Sequence, residues 1–249
     1  SFDSERKSNY YRFEYEETYK VIAPFWVPEK IEFLTKEVPY TSRLVKKVVE
    51  NKTCYKTNLS NEIIQAETLT LNEDRINTPI KLIEKTNFSI KYRYSILVKQ
   101  YIQSREAYTF YKILDKLSSS ESLFSQNQPG TLVGNVYATG NNNENVLGFF
   151  EVASVSSKRI FFNYSDFYEI NTRPDHLEKC SFESPVRYFP PDSSSPLLEL
   201  IEANKFVFYE VYSGPYLEDQ PQPPYTLISK SCGDCTAIGS NIKPTFWIE

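Results

Sequence analysis

Methionine is absent from this 249-residue chain, histidine occurs once, as His176, and there are only 7 glycines and 4 cysteines. Each shortage excludes a kind of chemistry. A single histidine removes most Ser-His-Asp and Cys-His arrangements and every two-histidine metal site. His176 itself lies in Arg173-Pro174-Asp175-His176-Leu177, which reads as a loop. The few glycines form no Walker loop and no dinucleotide fingerprint, so nucleotide chemistry is not expected. No apolar run approaches the roughly 18 residues that cross a bilayer as a helix. Against 28 Lys+Arg stand 32 Asp+Glu, a net charge of -4 with no basic block, which argues against nucleic acid as a partner. No cofactor and no metal is expected. Position 1 is Ser1 rather than Met, so the chain is expected to be a mature or trimmed piece of something longer, with any signal peptide or lipid site upstream.

What the chain has in quantity is aromatic residues, 19 Tyr and 17 Phe. Such residues favour pleated, half-buried surfaces and cross-strand pairs. Tyr10 to Ile22 alternates Tyr11, Phe13 and Tyr15 with Arg12, Glu14 and Glu16, the period-two pattern of a strand. Pro24, Pro28 and Pro39 make residues 23–43 an irregular excursion with at most short strands. Ile63 to Leu71 and Phe88 to Ile102 read as further strands. At Ser104 the period changes, because Ala107, Phe110, Tyr111, Leu114 and Leu117 fall on one helical stripe. Ser104 is the expected N-cap and Glu106 sits in the first turn, so a helix is predicted over about 104–118.

Thr131 to Ala138, Val146 to Val155 and Arg159 to Phe167 read as three strands, the first two joined at Gly140-Asn141-Asn142-Asn143, a hairpin signal. Residues 171–195 form a long loop containing Cys180. Ser195-Pro196 then places a cap and a first-turn proline before Leu197, predicting a short helix over about 196–203. Phe206 to Tyr212 is the last predicted strand. The expectation is a single β-rich domain, 1–249, mainly β with a few helices (α+β), its core an antiparallel sheet or sandwich. Residues 214–249 are expected to form an extended tail packed on it.

That tail carries Cys232-Gly233-Asp234-Cys235. A thioredoxin-like pair would open a helix after a strand. Here prolines precede the motif, Gly239 and Pro244 follow it, and no helical pattern continues. A zinc site would have only His176, Cys54 and Cys180 to complete it, a spacing unlike a ribbon or finger. An even cysteine count fits two disulfides in an oxidising compartment. Three connectivities are open, and the preferred expectation is that Cys232 and Cys235 bond outward to Cys54 and Cys180, stapling the tail.

Glu16, Glu17, Glu144 and Glu151 are the carboxylates on or beside strands that would serve glycoside hydrolysis if they faced one another. Four Asn-x-Ser/Thr sequons stand at Asn51, Asn58, Asn87 and Asn163, and Asn163 falls inside a predicted strand.

Several stretches together resemble one family. They are Tyr10-Tyr11-Arg12-Phe13-Glu14-Tyr15-Glu16-Glu17-Thr18, Cys54-Tyr55, and Tyr94-Ser95-Ile96-Leu97-Val98-Lys99-Gln100 running into Glu106-Ala107-Tyr108. Further on come Gln128-Pro129, Gly134-Asn135-Val136 and Glu144-Asn145-Val146-Leu147-Gly148-Phe149-Phe150, and then the closing Cys-x-Asp-Cys with Gly239, Lys243, Pro244, Phe246 and Trp247. In order and spacing the set resembles the Bacteroidota outer-membrane lipoproteins that carry domain of unknown function 4249. Ile238 and Thr245 depart from the residues common there, glycine and aspartate. The resemblance implies an exported, lipid-anchored protein whose N-terminal immunoglobulin-like part is not in this chain, and genes beside TonB-dependent receptors. It supplies no active residue.

The leading functional expectation is therefore a non-enzymatic accessory or assembly subunit. It would sit at the outer membrane, facing the cell surface, held by an upstream lipid and docked on a β-barrel such as a TonB-dependent receptor or on another surface protein. Interface candidates are Tyr11, Tyr15, Trp26 and Trp247, with a core role the favoured reading of each. The rival expectation is a surface glycan- or peptide-binding or processing protein.

Overall fold

The computed structural model describes residues 9–71, 75–118, 132, 134–139, 146, 148–187, 194–215 and 221–249. The fold is mainly β with antiparallel strand pairs, and it carries three α-helices among the described residues and two disulfides. Strand β1, Tyr10–Ile22, has the limits that its alternation predicts, with Tyr11, Phe13 and Tyr15 buried and Arg12, Glu14 and Glu16 half-buried. It belongs to a five-stranded sheet with β4 (Thr53–Leu59), β5 (Ile64–Glu67), β6 (Arg93–Ile102) and β7 (Ser154–Asn163). The order is β4-β1-β6-β7, and β5 also pairs with β1, Tyr10 opposite Glu67 through Phe13 opposite Ile64.

The chain divides into two compact units, one within residues 1–17, 58–83 and 95–161, the other within 18–57, 84–94 and 162–249. In the first unit helix α1, Arg105–Ser118, follows β6. As expected, Ser104 Oγ accepts the Ala107 amide at 3.1 Å, satisfying one of the donors that a helix start leaves unpaired. The helix buries Ala107, Tyr108 and Phe110. Tyr108 stacks on Tyr10 with ring centres 4.9 Å apart and Phe110 on Phe149 at 5.1 Å.

In the second unit β2 (Glu29–Thr35) and β3 (Thr41–Lys46) form an antiparallel hairpin, where the sequence reads as an irregular excursion. The prolines do not prevent it. Pro24 and Pro28 precede β2 and Pro39 lies in the turn, so none removes a donor from the ladder. A three-stranded sheet runs β8-β10-β9, from Phe182–Glu183, Tyr225–Ser229 and Phe206–Val211. Helix α2, Pro196–Glu202, has Ser195 as its cap, Oγ accepting the Leu198 amide at 3.2 Å. Its Leu197 packs with Phe208, Tyr225 and Leu227 in a buried cluster. Each such apolar side chain contributes about 2–3 kcal/mol by leaving water.

Other departures from the sequence reading have local causes. Residues 88–90 form a 3-10 turn because the Asn87 side chain takes the Ser89 amide at 2.9 Å, so β6 begins only at Arg93. Likewise the Asn163 amide donates to the Asp166 carboxylate at 2.7 Å and ends β7 before Phe167. No strand forms within 134–139 or 148–153, and β7 starts at Ser154. The predicted turn at 140–143 lies outside the described residues. After Gly214 the chain is more than an extended tail: Tyr225–Ser229 is strand β10, paired on both sides.

Candidate functional site

In the second unit the C-terminal motif gathers both disulfides. Cys54 is bonded to Cys235 and Cys180 to Cys232, with Cα atoms 5.6 and 5.8 Å apart. The motif cysteines thus bond outward, as preferred from the sequence, rather than to each other. Cys232 sits in the short helix α3, Lys230–Gly233, and Asp234 caps the turn Cys235–Ala237 by accepting the Thr236 amide at 2.9 Å. A Cβ on Gly233 would lie 2.5 Å from Val207 Cγ2 and 2.6 Å from Ile228 Cγ2, so only glycine fits there. On Gly239 it would lie 2.5 Å from the Tyr55 carbonyl oxygen, where Tyr55 and Ser240 form a β-bridge. Asn51 binds the motif from three atoms. Its Nδ2 donates to Asp234 Oδ2 at 3.0 Å, its Oδ1 accepts from Asn241 Nδ2 at 2.9 Å, and its carbonyl accepts the Cys235 amide at 2.9 Å.

His176 lies beside this knot. Its Nδ1 is 3.9 Å from Cys232 Sγ, and its ring packs on Phe88 at 5.3 Å. Burial pushes its pKa below the usual range, Lys91 adds to that, and Glu178 opposes it. Ligand atoms of His176, Cys180 and Cys232 lie within 4.8 Å of one another. Both sulfurs are tied in one disulfide, so they offer no thiolate to a metal.

Of the carboxylates named for glycoside hydrolysis, Glu16, Glu17 and Glu151 form ion pairs. Glu16 accepts Arg159 Nη2 at 2.8 Å. Glu17 accepts Lys81 Nζ at 2.7 Å and Asn58 Nδ2 at 3.1 Å. Burial alone would lower the Lys81 pKa, but Glu17 and Tyr15 together more than reverse it and hold the ammonium charged. Glu151 lies 3.7 Å from Arg12 Nη2, and Glu144 falls outside the described residues. The sequons are similarly engaged. Besides Asn51, Asn58 and Asn87, Asn163 accepts Arg93 Nη1 at 2.9 Å.

The interface candidates divide. Tyr11, Tyr15 and Trp247 are buried, so they are core residues rather than contact residues. Trp247 packs edge-on to Tyr55 at 5.0 Å. Trp26 is half-buried beneath the Lys47 ammonium, 5.5 Å from its ring centre. The surface features that the sequence reading missed are apolar. In the second unit a cavity of about 380 Å³ is lined by Ile31, Ile201, Phe206, Val207 and Phe208 together with Lys30, Lys47, Asn51 and Asp234. Val48 and Val49 also line it and are 97% and 55% exposed. Burial lowers the Lys47 pKa against the pull of Asp234 and Glu29.

In the first unit a cleft of about 800 Å³ is bounded by the start of α1 and by Phe149, Phe150 and Glu151. Beside Glu151, Arg12 lies over two rings, 4.5 Å from the centre of Tyr101 and 4.7 Å from that of Tyr111. It also bonds Glu14, which accepts Tyr101 OH at 2.9 Å. Burial raises the Glu14 pKa, but those two hydrogen bonds and the charges of Arg12 and Lys99 together outweigh it and hold the carboxyl below its usual range.

A family model described as a domain of unknown function (DUF4249) matches residues 1–159. No curated protein and no solved structure matches the chain.

Proposed function

The chain belongs to the family defined by that domain of unknown function, and on this premise we propose a non-enzymatic accessory or assembly role. The protein is a Bacteroidota lipoprotein held at the outer membrane by an upstream lipid, facing the cell surface and docked on a β-barrel such as a TonB-dependent receptor. The observation that carries this reading is the second unit's cavity, which mixes apolar and charged side chains in its lining and is edged by the exposed Val48 and Val49. Apolar side chains left in water beside a pocket are the usual mark of a contact surface. The engagement of Glu16, Glu17 and Glu151 by cations supports a binding role over hydrolysis.

Affinity purification of the tagged protein from native membranes tests the reading. The expected result is a co-purifying β-barrel that is lost in the variant Val48→Asp with Val49→Asp, while the variant's thermal unfolding stays unchanged. Recovery of the protein alone overturns it. A second reading, a surface glycan- or peptide-binding protein, is favoured by Phe150, which is 72% exposed beside the first unit's cleft.

A further inference from the structure

In the first unit one guanidinium serves two carboxylates. Arg12 bonds Glu14 and lies 3.7 Å from Glu151 Oε2, and Lys99 adds its charge on the Glu14 side. Glu151 is the less well served of the two carboxylates. Its side chain is only 10% exposed, and its Oε2 has one long hydrogen bond, 3.3 Å from Gln103 Nε2. Its Oε1 is buried and has no hydrogen-bond partner among the described residues. A buried carboxylate oxygen in that condition is costly, and a donor is what it lacks. Arg12 Nε is also without a partner, but Glu151 lines the cleft and Arg12 does not.

The rest of the cleft suits an organic cation. Phe110, Phe149 and Phe150 present rings to it, and Phe150 is held in place by Asn135. Asn135 Nδ2 donates to the Phe150 carbonyl at 2.8 Å and Asn135 Oδ1 accepts the Phe150 amide at 2.6 Å. The other charged groups of the lining, Arg105 and Glu106, are exposed and of opposite sign. They leave Glu151 as the net charge. We propose that this cleft binds a positively charged nitrogen group, an ammonium or guanidinium, carried on an apolar framework. The nitrogen pairs with the Glu151 carboxylate, whose side chain keeps 10% of its surface exposed, and the framework lies against the three phenylalanines. The site is independent of the docking surface proposed for the second unit, so either can fail alone.

Titration of the full chain with benzamidine and with its neutral isostere benzamide, followed by NMR, tests the assignment. Benzamidine is expected to bind on the order of tenfold more tightly or better, the usual advantage of a charge-assisted hydrogen bond. Glu151→Gln should abolish that preference while conserving shape. Phe150→Ala changes an exposed residue, so it spares the fold, and it should weaken both compounds alike. Equal binding of the two compounds, binding of neither, or a preference that survives Glu151→Gln overturns the proposal. If Glu151→Gln does not fold, the benzamidine–benzamide comparison on the unaltered chain still decides. The blocked tripeptide Gly-Arg-Gly against free arginine amide then distinguishes a peptide side chain from a small amine as the source.

Discussion

The two units hold together by different means. In the first, the ion pairs Arg12–Glu151, Lys81–Glu17 and Arg159–Glu16 each join side chains that are no more than about a quarter exposed. In the second, Lys36–Glu202, Arg43–Glu32 and Lys243–Glu249 are pairs of open surface groups, while both disulfides lie there. Exposed pairs contribute little, because water already solvates both partners. Partly buried pairs matter mainly when one partner is removed, since the other is left charged and poorly solvated. The first unit has placed charge inside, and the second has placed crosslinks and an apolar cluster there.

The comparison breaks most visibly if the crosslinks are removed. Replacing Cys54 and Cys235 together by serine is expected to cost about 5 kcal/mol, the loop-entropy value for a span of 181 residues. Hydrogen exchange should show β9 and β10 losing protection while α1 keeps it; equal loss in both would erase the distinction. Next in size, Leu197→Ala in the buried cluster is expected to cost about 3 kcal/mol by denaturant titration. Lys81→Met, which removes the cation from Glu17 while Asn58 stays bonded to it, should cost about 2 kcal/mol, against roughly 0.5 kcal/mol or less for Lys36→Met in the second unit. Similar costs for the two lysines would remove the contrast in charge placement.

Acid gives the finest separation. The folded-state pKa of His176 lies below its ordinary 6.5, so below 6.5 the unfolded chain takes up the proton first and stability falls as pH drops towards the folded value. Glu14 is likewise depressed, from 4.5, so its contribution is present above 4.5 and is lost only at lower pH. Thermal unfolding between pH 7 and 5 should therefore flatten in His176→Gln and stay sloped in Glu14→Gln. The reverse pattern would refute these assignments.

What could be read from the sequence was whatever is local. The alternation of β1, the Ser104 cap and the Ser195-Pro196 start each depend on neighbours within a few residues, and each stands where the pattern put it. The hairpin β2-β3 and strand β10 were hidden because their prolines lie just outside the ladders, a distinction of one or two residues that composition does not resolve. Burial was less legible. The tyrosines of β1 declared an apolar face, but only the packed fold shows Tyr11 and Tyr15 inside it. The Glu151 cluster was illegible for a further reason. It gathers Arg12 and Glu14 from β1, Tyr101 from β6, Tyr111 from α1 and Glu151 from the stretch before β7, and no spacing links them.

The two crosslinks are nested, Cys180–Cys232 lying within the span of Cys54–Cys235. A chain oxidised in the order of its synthesis would join Cys54 to Cys180 first, because those thiols emerge before the other two. Reaching the native arrangement then requires either that oxidation wait for the last cysteine or that a catalyst of thiol–disulfide exchange undo the early bond. Correct maturation of this protein therefore depends either on late oxidation or on exchange that undoes an early bond.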